Sequence, residues 1–294
     1  MPLDTRVVGR ATEAITHEVD ARWIMAYAAG LGDFNAGYLD TAAAAPVAHP
    51  VFPVCLEWPV ILASRQLPGC ETLSQAERAR GVHAAHDLHL YRPIRAGDRL
   101  TTRATVIGLE GIKPGAAQTL RLDTVDAEGQ LVCRTYQLSI SRGVEITGVP
   151  VVGEDTPPLP AMAGQQASAK SRWEPISIPV PEGLAHVYTE CARIWNPIHT
   201  ERAVALAAGL PDIILHGTAT WALAGQEIAK RYANGDARRL RRLAGDFSAM
   251  VIPGEDIVIE HAPSASDSNV VQFAVRNHEG ALAIKNGVAE IAND

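Results

Sequence analysis

Two stretches of this chain, 161 positions apart, read alike, and that register constrains the fold more than any single residue. Tyr27 through Asp40 matches Tyr188 through Glu201 without gaps, with Tyr27 opposite Tyr188 and Asn35 opposite Asn196. At the same offset Asp33 faces Ile194, Tyr38 faces His199 and Asp40 faces Glu201. Each pair is weak alone, but similarity held in one register marks a structural unit used twice. Both halves then continue in the same order. After the first motif comes the apolar segment Val54 to Leu67, a polar stretch, and strand-like runs at His83–Tyr91, Leu100–Leu109, Gln118–Val125 and Leu131–Ser141. Ala244–Met250, Ile257–His261, Val270–Arg276 and Ala281–Ile291 repeat that arrangement. These runs are rich in β-branched and aromatic residues and bounded by Gly, Pro and Asp. Arg92 to Asp98 reads as a turn, and Val251 to Asp256 takes its place in the second half.

Between the halves, Gly148 to about Arg172 carries Pro150, Pro157, Pro158 and Pro160, a composition suited to a linker. Three segments are therefore expected: a domain over residues 1–147, a linker over 148–172 and a second domain over 173–294. Helices followed by several antiparallel strands predict an α+β fold in each half. From Thr218 to about Tyr232 the apolar residues Ala219, Trp221, Ala222, Leu223, Ala224, Ile228 and Ala229 cover most of a helical circumference, which predicts a buried central helix.

A length of 294 residues allows two domains of ordinary size. The formal net charge of −7 argues against a general nucleic-acid binder without excluding a small anionic substrate. Met1 to Arg6 has no apolar core of a signal peptide, and no run approaches bilayer length, so neither secretion nor a membrane partner is expected. Cys55, Cys70, Cys133 and Cys191 are scattered without metal-ligand spacing, which fits thiols in a reducing cytoplasm.

The chemistry concentrates in Asn196-Pro197-Ile198-His199 and Ile213-Ile214-Leu215-His216-Gly217. Asn is a preferred N-cap and Pro a preferred first helical residue, which predicts His199 in the first turn of a helix running to about Gly209. The positive helix end there disfavours an imidazolium, so His199 is expected to be neutral and able to take a proton. A second helix opening at His216-Gly217 offers free N–H groups to a developing oxyanion.

Asn196 through His199, together with His216-Gly217, resembles the motif of the MaoC-like dehydratases, the (R)-specific enoyl-CoA hydratase family. The resemblance implies a double hotdog, two antiparallel sheets each wrapping a central helix. It also implies a hydro-lyase acting on acyl thioesters through an Asp and a His, the Asp lying two positions before the Asn. Here that position is Ile194. On this reading His199 is the general base and acid, Asn196 fixes the loop and binds the water, and the N–H of Gly217 polarises the thioester carbonyl. Trp195, Ile194, His216 and Thr218 would contact substrate, Trp195 by closing the site or stacking on a flat acyl group. Arg241, in the run Arg238, Arg239, Arg241 and Arg242, would clamp phosphates, against the plainer reading of a solvated run. No metal or redox cofactor is implied, and coenzyme A or acyl-carrier pantetheine enters as part of the small acyl substrate. A monomer or a homodimer is compatible with a double hotdog.

The first half has Tyr38 where a His would stand and Val54 to Pro59 where a His-Gly pair would open its helix, so the site is expected in the second half. Ile194 leaves three readings: His199 acts alone, Glu190 or Asp33 replaces the carboxylate, or binding remains without chemistry. An isomerase or cyclising lyase on a free polyketide-like substrate, and a non-catalytic acyl-thioester-binding protein, stay open beside the hydratase. In Gly81 to His89, strand alternation puts His83, Asp87 and His89 on one face and His86 on the other, a polar strand face rather than a metal site. His17, His49 and His261 show no partner.

Overall fold

The fold is taken from a computed structural model, which describes residues 2–153 and 173–293; most of the expected linker, from residue 154 to 172, lies outside the described residues. In the first half, strand β1 (Ile15–Glu18) is followed by α1 (Ala21–Gly30), α2 (Pro53–Ser64), β2 (Gly81–Leu90), β3 (Arg99–Ile112), β4 (Gly115–Val125) and β5 (Leu131–Arg142). The second half repeats this with β6 (Glu174–Ile178), α3 (Leu184–Ala192), a short α4 (Arg202–Ala207), α5 (Gly217–Tyr232), β7 (Leu240–Phe247), β8 (Ile257–Pro263), β9 (Val270–Arg276) and β10 (Leu282–Ile291). The strands run in the order β1-β3-β4-β5-β2-β7-β10-β9-β8-β6. Each half thus contributes five strands in equivalent order, and the two sheets of the double hotdog join edge to edge at β2 and β7.

The central helices are buried for the reason their sequences suggest. In α5, Ala219, Trp221, Ala222, Ala224 and Ile228 are all fully buried, and an all-round apolar helix has nowhere else to go. Helix α1 starts at Asp20, whose side chain accepts the Trp23 N–H at 2.7 Å. Across the junction the hydroxyls of Tyr27 and Tyr188 are 3.2 Å apart, so two residues related by the repeat meet each other. Beside them, β2 and β7 pair from Ala85↔Asp246 to His89↔Arg242. Among the described residues, no helix is long and apolar enough to cross a membrane.

Strand β2 departs from simple alternation. Its register against β5 slips between His83 and Ala85, a bulge that reverses side-chain parity. His83 therefore joins His86, with Nε2 3.1 Å from His86 Nδ1, instead of sharing a face with Asp87 and His89. His86 lies 3.2 Å from the Glu57 carboxylate of α2. On the other face Asp87 takes two bonds from the Arg242 guanidinium at 2.9 and 2.8 Å, and Arg242 reaches Glu290 at 3.0 Å. Among the described residues no three His, Cys, Asp or Glu side chains are grouped so as to hold a metal.

Candidate active site

The site begins at the start of α5. Leu215 is tied to Val251 by its N–H at 2.8 Å, His216 is still extended (φ −58°, ψ 134°), and the helix opens at Gly217. Among the described residues the N–H groups of Gly217 and Thr218 have no protein acceptor. The Phe247 ring lies against Gly217, where an added Cβ would come within 3.1 Å of Cδ1. A glycine is thus required if the ring and the helix start are to stay in place.

His199 is placed differently from the expectation. Pro197–His199 forms a single 3-10 turn rather than the start of a helix to Gly209, because Thr200 (φ −131°) and Glu201 (φ −112°, ψ 101°) leave helical geometry before α4 begins. The Asn196 side chain makes no capping bond. The imidazole is nevertheless held neutral, and burial is the cause: it pushes the His199 pKa down to about 4, against a smaller opposing effect of the Ile214 carbonyl. His199 Nδ1–H donates to Ile214 O at 2.8 Å, which leaves Nε2 as the bare nitrogen.

Against His199 lies His216, its ring stacked at 3.7 Å and 24°. His216 Nε2 is 3.2 Å from Thr189 Oγ1 and 3.3 Å from Ile194 O. The Thr189 hydroxyl donates to Ala185 O at 2.8 Å, so both neighbours of His216 Nε2 accept and that nitrogen carries the proton. Burial, then the neighbouring His199, drives the His216 pKa well below the ordinary value. Ile194 itself is a core residue, 5% exposed, and its carbonyl lies 3.3 Å from His216 Nε2. Thr218 Oγ1 accepts the Tyr188 hydroxyl at 3.1 Å, and Trp195 stands 58% exposed beside the motif.

The remaining candidates are elsewhere. Arg241 shares a hollow with His49, Pro53, Arg92 and Arg238, close behind the C-terminus of α5, whereas His199 and His216 adjoin its N-terminus. The 16 residues of α5 span about 24 Å. The structure therefore does not bring Arg241 to His199. Arg238 is paired with Asp236 at 2.7 Å and Arg242 with Asp87 and Glu290. Asp33 is also at the far end, next to Asn35, whose amide donates to Gly235 O at 2.7 Å. Glu190 is exposed on α3. Neither carboxylate takes the place of the one missing at 194.

One residue the sequence left unassigned has a clear position. His49 precedes α2, with Tyr27 at 5.6 Å and Tyr38 at 5.8 Å between ring centres. His216 has Tyr188 at 5.0 Å and His199 at 3.7 Å, the same partners by the repeat. His49-Pro50 is thus the first half's version of His216-Gly217, hidden because the second half carries a longer loop before its helix.

Comparison with known proteins agrees with this fold. Residues 165–279 match the MaoC like domain, and residues 6–135 match the FAS1-like dehydratase domain region. The chain is 26% identical to 3-hydroxyacyl-thioester dehydratase Y of Mycobacterium tuberculosis over 87% of this chain and 86% of that protein. Its fold superposes on a MaoC-like dehydratase from Phytophthora capsici with a TM-score of 0.81 at 21% identity, covering 98% of both chains. A second M. tuberculosis protein, described as a double hotdog, gives a TM-score of 0.63 at 17% identity over 97% of this chain and 96% of that one. With dehydratase domains matched in both halves and a double hotdog throughout, residues 165–279 carry a MaoC like domain and the whole chain is similar to the MaoC-like dehydratases.

Proposed function

We propose that the second half catalyses the interconversion of a 3-hydroxyacyl thioester and its 2-enoyl thioester by loss or addition of water. The observation that carries this reading is a bare His199 Nε2 near the start of α5, whose first N–H groups have no partner among the described residues. A thioester carbonyl bound at Gly217 N–H would place its developing negative charge on a preorganised donor at the positive end of a 16-residue helix. His199, neutral across the physiological range, would take the proton from water in hydration or from C2 in dehydration. A positioned acid–base group of this kind is worth about 10²–10⁴-fold in rate.

In this reading Asn196 steadies the loop and the water, Thr218 and the Ile194 backbone line the reacting end, and Trp195 meets the acyl group or its carrier at the mouth. Coenzyme A or pantetheine enters with the substrate, and no metal or redox group takes part. Both hotdog units lie in one chain, so a monomer contains the whole site and a homodimer of such units is compatible with it. The four free thiols suit a reducing cytoplasm.

Ile194 favours a second reading, an acyl-thioester-binding protein without turnover. Loss of the 2-enoyl thioester absorbance of crotonyl-CoA, measured for wild type and His199→Ala, separates the two. Wild-type turnover abolished by the substitution supports the hydratase. Binding of crotonyl-CoA with no turnover, unchanged in His199→Ala, supports the binder.

A further inference from the structure

Ile194 leaves the family motif one carboxylate short, and the structure offers an unpartnered nitrogen on the ring stacked against His199. His216 is 2% exposed, its Nε2–H is used by Ile194 O and Thr189 Oγ1, and among the described residues its Nδ1 has no hydrogen-bond partner. A buried acceptor without a donor is unfavourable unless something else fills it.

The first half holds its corresponding histidine by the other nitrogen, leaving His49 Nε2 without a partner among the described residues. His49 Nδ1 accepts the N–H of Val51, two residues on, at 3.1 Å, closing the backbone just before α2. In the second half the corresponding N–H, that of Thr218, makes no such bond, and His216 Nδ1 stays open beside the His199 ring. The half with the candidate base has freed both an acceptor and a donor that the other half pairs together.

Resting on the hydratase reading above, we infer that His216 is a second catalytic residue, its Nδ1 accepting one O–H of the water whose other proton goes to His199 Nε2. In hydration the water oxygen forms its bond to C3 as His199 Nε2 takes a proton. The C2=C3 electron pair moves toward the thioester, whose oxygen is held by Gly217 N–H. The enolate pair then forms a C2–H bond with the proton returned by His199. One water is consumed, and both imidazoles end neutral. His216 orients the water and keeps its own proton on Nε2 throughout. Two stacked imidazoles thus take the part of an aspartate and a histidine.

Crotonyl-CoA hydration by wild type, His216→Phe, and His216→Phe combined with Ile194→Asp tests this. Phenylalanine keeps a flat ring against His199 and removes both nitrogens. The expected result is a fall in kcat of about a hundredfold with KM little changed, and recovery of about tenfold when the aspartate supplies a new acceptor for the water. A His216→Phe variant with wild-type kcat would overturn the inference while leaving the hydratase reading intact. A wild type inactive on crotonyl-CoA and on longer 2-enoyl-CoAs would overturn both. A readout independent of turnover and of variant folding is the long-range ¹H–¹⁵N spectrum of the wild-type histidines. It should show His216 protonated on Nε2 and bare on Nδ1; the opposite tautomer refutes the assignment.

Discussion

Three residues at the start of α5 make up the proposed site, and each is fixed by a neighbour rather than by its own preference. Gly217 lies so close to Phe247 that a methyl group fits only if the ring gives way. Gly217→Ala is expected to lower stability by about 1–3 kcal/mol through overpacking and to shift the oxyanion donor. Thermal unfolding and turnover should both suffer, and Phe247→Leu should restore stability before activity. If Gly217→Ala keeps wild-type turnover, the donor is elsewhere. His199 is neutral as the sequence suggested, but through burial and not through a helix dipole, because single-residue conformations at Thr200 and Glu201 cannot be read from residue preferences. Its folded pKa of about 4 lies below the free value of 6.5. Between those values the unfolded chain binds more protons than the folded one, so stability rises with pH across this window. The contribution is complete above about pH 6.5 and is lost as pH falls toward 4. His49, pushed to about 3 by burial alone, acts in the same direction. Urea midpoints should therefore drop from pH 7 to pH 4.5, and less steeply in His199→Gln. An equal drop in the variant would mean that His199 is not depressed in the folded state.

At the scale of elements, the long strands were legible from their β-branched and aromatic runs bounded by Gly, Pro and Asp. Val270–Arg276 was found with its observed limits, and the others within a few residues. The edge strands β1 and β6 were not marked. They are short, β6 contains Pro175, and each is completed by a single partner strand that local sequence does not name. The bulge in β2 was equally invisible, since it depends on β5, and it alone decides that His83 turns toward His86. What alternation did place correctly is Asp87 on the face opposite His86, where it meets Arg242. Both are nearly buried, at 8% and 5% exposure, and Glu290 of β10 completes the network. Removing one partner strands the other. Arg242→Ala is expected to cost about 3–5 kcal/mol. Arg242→Met with Asp87→Asn should cost clearly less, because no charge is then left buried. Denaturant unfolding of Arg242→Met, of Asp87→Asn and of the double variant gives the coupling, and additive losses would show that the pair is solvated in the folded protein.

Over the whole molecule, the repeat was the most informative part of the sequence, yet it could not show that the halves meet through the residues it aligns. Tyr27 touches Tyr188, β2 borders β7, and Asp87 of one half neutralises Arg242 of the other. The two halves have divided the work: the first closes His49 upon Val51 and keeps Asp33 far from any base, while the second keeps His199, His216 and Gly217 open. On the proposed function, that division makes the first half necessary to the fold without making it catalytic. Cut from its neighbour, residues 173–294 would expose the β7 edge, with its row of unpaired N–H and C=O groups, and the part of the α5 surroundings that α2 and β2 cover. Two copies of the second half could approach each other as the halves now do, but such a pair contains no Asp87, and Arg242 would face the seam without it. Residues 2–153 and 173–294 expressed separately are thus expected to aggregate or self-associate without turnover. Expressed together as two chains, they should co-purify in equal amounts and recover activity on crotonyl-CoA, because the contacts that join them need no covalent link. Size-exclusion chromatography with turnover assays decides between these outcomes. A well-folded, active second half alone would show that the site is complete within one hotdog and that the seam serves only stability.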